Sequence, residues 1–65
     1  MKLKINGEDR EVAARTVLGL LTELGLSPRL TIVEQNARIV PRDAYADTPV
    51  QDGDVLELVA LVGGG

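Results

Sequence analysis

Few side chains in this sequence can do chemistry, and those few stand in poor positions for it. There is no His and no Cys, so acid–base catalysis near neutral pH would fall to a carboxylate or Lys with a displaced pKa, and a thiolate nucleophile is excluded. Ser27 is the only serine and directly precedes Pro28, with no imidazole in the chain to activate it. Glu8, Asp9 and Glu11 lie in or beside a predicted hairpin loop, where solvated charge is the ordinary case. Asp52-Gly53-Asp54 lacks the longer ligand series and closing bidentate Glu of a calcium loop, so it reads as a tight turn and no metal site is expected. Arg38 and Arg42 flank "IVP" and form either a docking point or solvated edge charges.

One group remains, the α-carboxylate expected at Gly65, behind the closing run Val62-Gly63-Gly64-Gly65. The glycines do not form a phosphate loop, because neither a helix nor a Lys follows them. A terminal carboxylate ionises near about pH 3.5 and is an anion, and a poor electrophile, at neutral pH. It becomes useful when another protein activates it, most simply through attack on the α-phosphate of ATP to give an acyl-adenylate. Glycine suits that position: without a Cβ it leaves the carbonyl open to attack and passes through a narrow channel. Fully extended, the five residues after Ala60 reach roughly 17 Å, enough to enter a partner's active site. A glycine run at a terminus also occurs as a frayed end without a role; its place directly after the last predicted strand favours a role.

The elements that must present this terminus belong to one small domain of 65 residues. A chain of this length buries only about 60% of its unfolded surface and usually needs support. Disulfides and zinc are unavailable to it, and 45% of its residues are hydrophobic, almost all aliphatic, with Tyr45 the only aromatic. It must fold on aliphatic packing. The net charge of −3, with mixed signs and no aromatic platform, argues against nucleic-acid binding. No apolar run approaches the ~20 residues of a membrane span. "MKLKINGEDR" has no signal-peptide core, so a cytoplasmic location is expected.

"KLKIN" alternates to place Leu3 and Ile5 on one strand face, and Asn6-Gly7 signals a hairpin whose loop has two or four residues. "REVAA" is the predicted returning strand, with Val12 beside Leu3 and Ile5. Thr16 can cap a helix of about ten residues, and Val17, Leu20, Leu21 and Leu24 form its apolar stripe. Gly25 suits the left-handed position that ends such a helix, with Leu26 contacting Leu21, and Pro28 prevents continuation. Gly19, costly inside a helix, is expected where the helix approaches the sheet closely. "LTIVEQN" predicts a strand over residues 30–35, and Pro41 confines the short piece "RIVPR" to an edge or an end. "DAYADTPV" reads as loop with one helical turn, Tyr45 and Val50 packing inward. Asp52-Gly53-Asp54 then turns into a last strand, "VLELVA", with Leu56, Leu58 and Ala60 on one face and Val55, Glu57 and Val59 on the other.

Hairpin, helix, strand, short extended piece and strand make an α+β, ubiquitin-like β-grasp arrangement. It is a small mixed sheet with one helix across one face, and the helical connection toward a parallel strand is right-handed. Residues 1–62 form the domain and 63–65 a flexible glycine tail. Through "KLKINGE", "REVAARTVLGLLTELGL", "IVEQNARIVPRDAYADTPVQDGDVLELV" and the closing "VGGG", the chain resembles the ThiS-like sulfur carriers of thiamine biosynthesis. The resemblance covers essentially the whole chain and implies a β-grasp sulfur-carrier domain without a catalytic site of its own. It implies that an E1-like enzyme, using ATP and Mg, adenylates Gly65. Sulfur derived from cysteine through a desulfurase persulfide then makes a thiocarboxylate that thiazole synthase consumes. Gly63 and Gly64 accompany Gly65 into the partner's active site, no cofactor is bound by the carrier itself, and it is expected to be monomeric when free.

Other readings use the same residues. A molybdopterin-type sulfur carrier shares the fold and the terminal Gly-Gly, and the "IVPR…DGD" pattern at this short length favours thiamine. A ubiquitin-like binding module would have no use for its terminal carboxyl, and a modifier would join it to a target lysine. A binding module tolerates loss of Gly65; a carrier does not.

Overall fold

The computed structural model describes residues 1–61 of the 65. The expected tail at 63–65 and its boundary with the domain lie outside the described residues. The element order is β1 (Lys2–Ile5), β2 (Glu8–Glu11), α1 (Val17–Glu23), β3 (Thr31–Gln35), β4 (Arg38–Val40), a 3-10 turn (Arg42–Ala44) and β5 (Val55–Ala60). The five strands form one sheet in the order β2-β1-β5-β3-β4. β5 pairs parallel with β1 and antiparallel with β3, so the last strand inserts between the first and the one that follows the helix. This mixed sheet with one helix is the β-grasp arrangement.

The hairpin loop has two residues. Ile5 pairs with Glu8, and Asn6 and Gly7 both take positive φ, 51° and 83°, which gives a turn matching the twist of the strands it joins. The returning strand therefore starts earlier than "REVAA": it is Glu8–Glu11, wholly exposed, and Val12 comes just after it. An all-polar edge strand suits its place at the margin of the sheet. Val12 still contributes to the core, buried beside Leu3 and Ile5.

Helix α1 has seven residues rather than about ten. Its ending is complete: Gly25 N–H donates to Thr22 O at 3.1 Å and Leu26 N–H to Leu21 O at 2.8 Å, the paired bonds of a Schellman motif. At the other end the first three helical N–H groups each find an acceptor outside the helix ladder. Val17 donates to Thr48 O and Leu18 to Tyr45 O, each at 2.9 Å, while Gly19 donates to the Thr16 hydroxyl at 3.0 Å. The loop after the 3-10 turn thus caps the helix with its carbonyls. Val17, Leu20 and Leu21 are fully buried, whereas Leu24, at the tightening end, is half-buried.

Gly19 is not where helix meets sheet. A Cβ there would stand 3.2 Å from the Thr16 hydroxyl and 3.6 Å from Ala14 Cβ, so what it accommodates is its own cap. The core joins Leu3, Ile5, Val33, Leu56 and Leu58 of the sheet to the helix stripe, with Tyr45 and Val50 closing one side. Tyr45 delivers its hydroxyl to Thr31 O at 2.6 Å, so its burial leaves no polar atom unpaired.

Candidate functional site

The candidate site is the end of β5 and what surrounds it. Gly63, Gly64 and Gly65, the residues that sequence reasoning selects, lie outside the described residues. The root of that segment is well defined. Leu61 N–H donates to Leu30 O at 2.6 Å, carrying the β3–β5 ladder one rung beyond Ala60. The chain therefore leaves from a central strand of the sheet, on the side of the Ser27–Leu30 connection. Arg42 braces that connection with a hydrogen bond from Nε to Pro28 O at 3.3 Å.

Beside this exit, the face of the sheet opposite α1 carries a group of exposed apolar residues. Leu30, Ile32, Ile39, Val59 and Leu61 are exposed there, Ile39 by 64% and Val59 by 55%. Strand alternation accounts for this: their neighbours Thr31, Val33, Val40 and Leu58 point into the core, so these residues point out. The apolar residues on both faces of "TIV" and "VLELV" were the available signal. Sequence reasoning placed Val55, Glu57 and Val59 on the outer face and drew no site from them.

Of the other charged candidates, Arg42, Asp52 and Asp54 have structural duties. Arg38 opens β4, and Arg42 opens the 3-10 turn beyond its end, so the two flank the strand. Arg38 lines a hollow with Gln35, Asn36, Thr48, Pro49, Gln51 and Asp54. Within it the Asp54 carboxylate accepts from Gln35 Nε2 at 2.9 Å, Asn36 Nδ2 at 3.1 Å and Gln51 N–H at 2.8 Å. Partial burial raises its pKa, and the bonds from Asn36, Gln51 and Gln35 more than offset that, holding the carboxyl below its ordinary value. Asp52 accepts from Lys2 N–H at 2.7 Å, and Gly53 takes φ 88°, as a tight turn requires. Glu8, Asp9 and Glu11 are exposed on the edge strand β2. Among the described residues no three His, Cys, Asp or Glu side chains gather to hold a metal, and no helix is long and apolar enough to cross a membrane.

Fold and exit together define a β-grasp domain whose central strand β5 ends beside exposed apolar residues of the outer sheet face. The model of the ThiS family matches residues 3–65, and the chain belongs to that family. It is 35% identical to the sulfur carrier protein ThiS of Bacillus subtilis, over 97% of this chain and 98% of that one. The crystal structure of a thiamine biosynthesis protein (ThiS) from Geobacter metallireducens superposes with a TM-score of 0.84 at 33% identity, covering both chains completely. A thiazole synthase of Paramagnetospirillum magneticum is 54% identical over 100% of this chain, which spans only 20% of that protein.

Proposed function

We propose that this chain carries sulfur, as a thiocarboxylate on Gly65, for building the thiazole ring of thiamine. An E1-like enzyme supplies ATP with Mg. The Gly65 carboxylate attacks the α-phosphorus, forming the acyl-phosphate bond as pyrophosphate leaves. A persulfide sulfur originating in cysteine then attacks the carbonyl and displaces AMP, and a thiol cleaves the S–S bond to leave the thiocarboxylate. Thiazole synthase takes the sulfur and returns the carboxylate. In this cycle the chain is a co-substrate and supplies no catalytic side chain. Gly63 and Gly64 serve by being narrow. A supply of ATP and reduced sulfur calls for a cytoplasmic setting.

The observation that carries this reading is the family match, which runs through Gly64 and Gly65 in a chain of almost the same length as the B. subtilis carrier. The test is intact mass after incubation with ATP, the activating enzyme and a sulfur source. The native chain is expected to gain one oxygen-to-sulfur exchange and to lose it again when thiazole synthase and its substrates are added. Deleting Gly65, or adding Ala after it, displaces the carboxyl. Because misplacement by 1 Å can cost about a hundredfold in rate, both variants should lose ATP–pyrophosphate exchange. A deletion variant activated as well as the native chain would overturn the carrier reading; a sulfur-bearing form that thiazole synthase cannot consume would overturn the thiamine assignment alone.

A further inference from the structure

The rung that joins Leu61 to Leu30 lies outside both strands that carry it. Leu61 follows β5 and Leu30 precedes β3, yet the Leu61 N–H reaches Leu30 O at 2.6 Å. A rung beyond the ladder frays unless its acceptor is held. Here the segment bearing the acceptor is held at two points from a single element. The 3-10 turn sets Arg42 and Tyr45 three residues apart, and the Tyr45 N–H closes on Arg42 O at 3.2 Å. Side chains at that spacing eclipse one another in a 3-10 turn, so both reach one segment. Arg42 Nε donates to Pro28 O at 3.3 Å and the Tyr45 hydroxyl to Thr31 O at 2.6 Å. Pro28 and Thr31 bracket Leu30, whose own N–H is bonded to Ser27 O at 3.2 Å. The turn is in turn tied to α1, since the Leu18 N–H donates to Tyr45 O at 2.9 Å. Stability accounts for the buried Tyr45 but not for Arg42. Arg42 is exposed and has no carboxylate partner among the described residues, and freezing a long side chain onto one exposed carbonyl costs rotamer entropy that the bond barely offsets.

We propose that Arg42 and Tyr45 are positioning residues for activation of the terminal carboxylate, acting through the Leu30 carbonyl to fix the point and heading from which the residues after Leu61 set out. The proposal rests on the carrier reading above and adds which side chains of the domain serve the reaction from outside the terminal run. Gly65 stands only four residues past Leu61, a span of roughly 14 Å when extended. Losing the Leu30 rung would lengthen the free run and let its origin swing. A carboxylate that must meet the α-phosphorus in line gains from a fixed origin, because oriented reactants are spared the entropy of finding each other. The grip is present before any partner arrives, so ordering the origin does not weaken the encounter. What the grip uses is a donor and not a charge. Arg42 Nε lies as far along its side chain as the Nε2 of a glutamine, which lets the two be separated by substitution.

The test compares the native chain with Arg42→Ala, Arg42→Gln and Tyr45→Phe. In the free protein, hydrogen exchange read by NMR should show the Leu61 amide opening faster by about fivefold in Arg42→Ala and Tyr45→Phe. With the cognate activating enzyme, ATP–pyrophosphate exchange by these two should lose about tenfold in kcat, with KM for the carrier within about twofold of native. Arg42→Gln keeps a donor at the Nε position and should match the native chain in both measurements. Arg42→Ala should keep the native denaturation midpoint, so that its lost kcat does not come from unfolding. Native kcat in both Arg42→Ala and Tyr45→Phe would overturn the proposal, even where Leu61 opens faster, by making the grip structural alone. A raised KM at native kcat would make Arg42 a contact for the enzyme and overturn it equally. So would an Arg42→Gln variant as slow as Arg42→Ala, which would assign the effect to the charge. A native chain that gives no pyrophosphate exchange would refute the carrier reading and this role with it, whereas native exchange with unaffected variants refutes the role alone.

Discussion

At Asn6 the positive φ of 51° required by the hairpin coexists with a side chain that acts as a piece of sheet. Its Oδ1 accepts from Leu58 N–H at 2.8 Å and its Nδ2 donates to Leu58 O at 3.2 Å, extending the β1–β5 ladder after β1 has turned away. Asn6→Gly keeps the turn and removes both bonds, so denaturant titration should show a loss of about 1–3 kcal/mol. Asp54 predicts a pH dependence. Its folded pKa is depressed, so the stability it contributes is present above the unfolded value and is lost as pH falls through the folded one. The native chain should be more stable than Asp54→Asn at neutral pH, and the gap in unfolding midpoint should close below about pH 4. A gap that stays constant into acid would contradict the Asp54 network.

The helix is short, and its ends rather than its length make it stable. Seven residues are too few to be helical alone; Thr16, the carbonyls of Tyr45 and Thr48, and the Gly25 ending hold it against the sheet. Glu23 adds a tie, its Oε1 accepting from Ala14 N–H at 2.9 Å and Ala13 N–H at 3.1 Å, which binds the last turn to the segment entering the helix. Leu21→Ala empties a fully buried site and should cost about 2–5 kcal/mol by chemical denaturation. Gly19→Ala would ordinarily gain about 1 kcal/mol in helix propensity. The new methyl meets the Thr16 hydroxyl at 3.2 Å, so the measured gain should fall short of that, and a full gain would show that the cap yields freely.

Across the whole molecule, β5 is the strand on which the others depend. It lies between β1 and β3 in the sheet order, and its Leu56 is fully buried. The amides bonded between β5 and its two neighbours should therefore exchange with solvent only through global unfolding. Amides of the edge strands β2 and β4 should open locally and exchange faster. Native-state hydrogen exchange read by NMR checks this, and edge amides as protected as those of β5 would contradict it. The same central placement sets the exit of the chain: a segment leaving a middle strand starts beside the outer sheet face instead of at a margin.

Features whose causes lie within a few residues were legible in the sequence. Asn6-Gly7, the Thr16 cap, the Gly25 ending, the stop at Pro41 and the Gly53 turn each act through local backbone geometry, and each stands where its residue type demands. The lack of His and Cys likewise points to the terminal carboxyl. The returning strand was misplaced because its inward residue, Val12, lies just past it, and alternation cannot show where pairing ends. What needed the tertiary structure was everything joining distant segments: the insertion of β5 beside β1, the Asp52 bond to Lys2 across 50 residues, the Asn6 bridge to Leu58 and the hold of Arg42 and Tyr45 on the segment around Leu30. Such contacts depend on register, and register is decided when the whole sheet and its core close together.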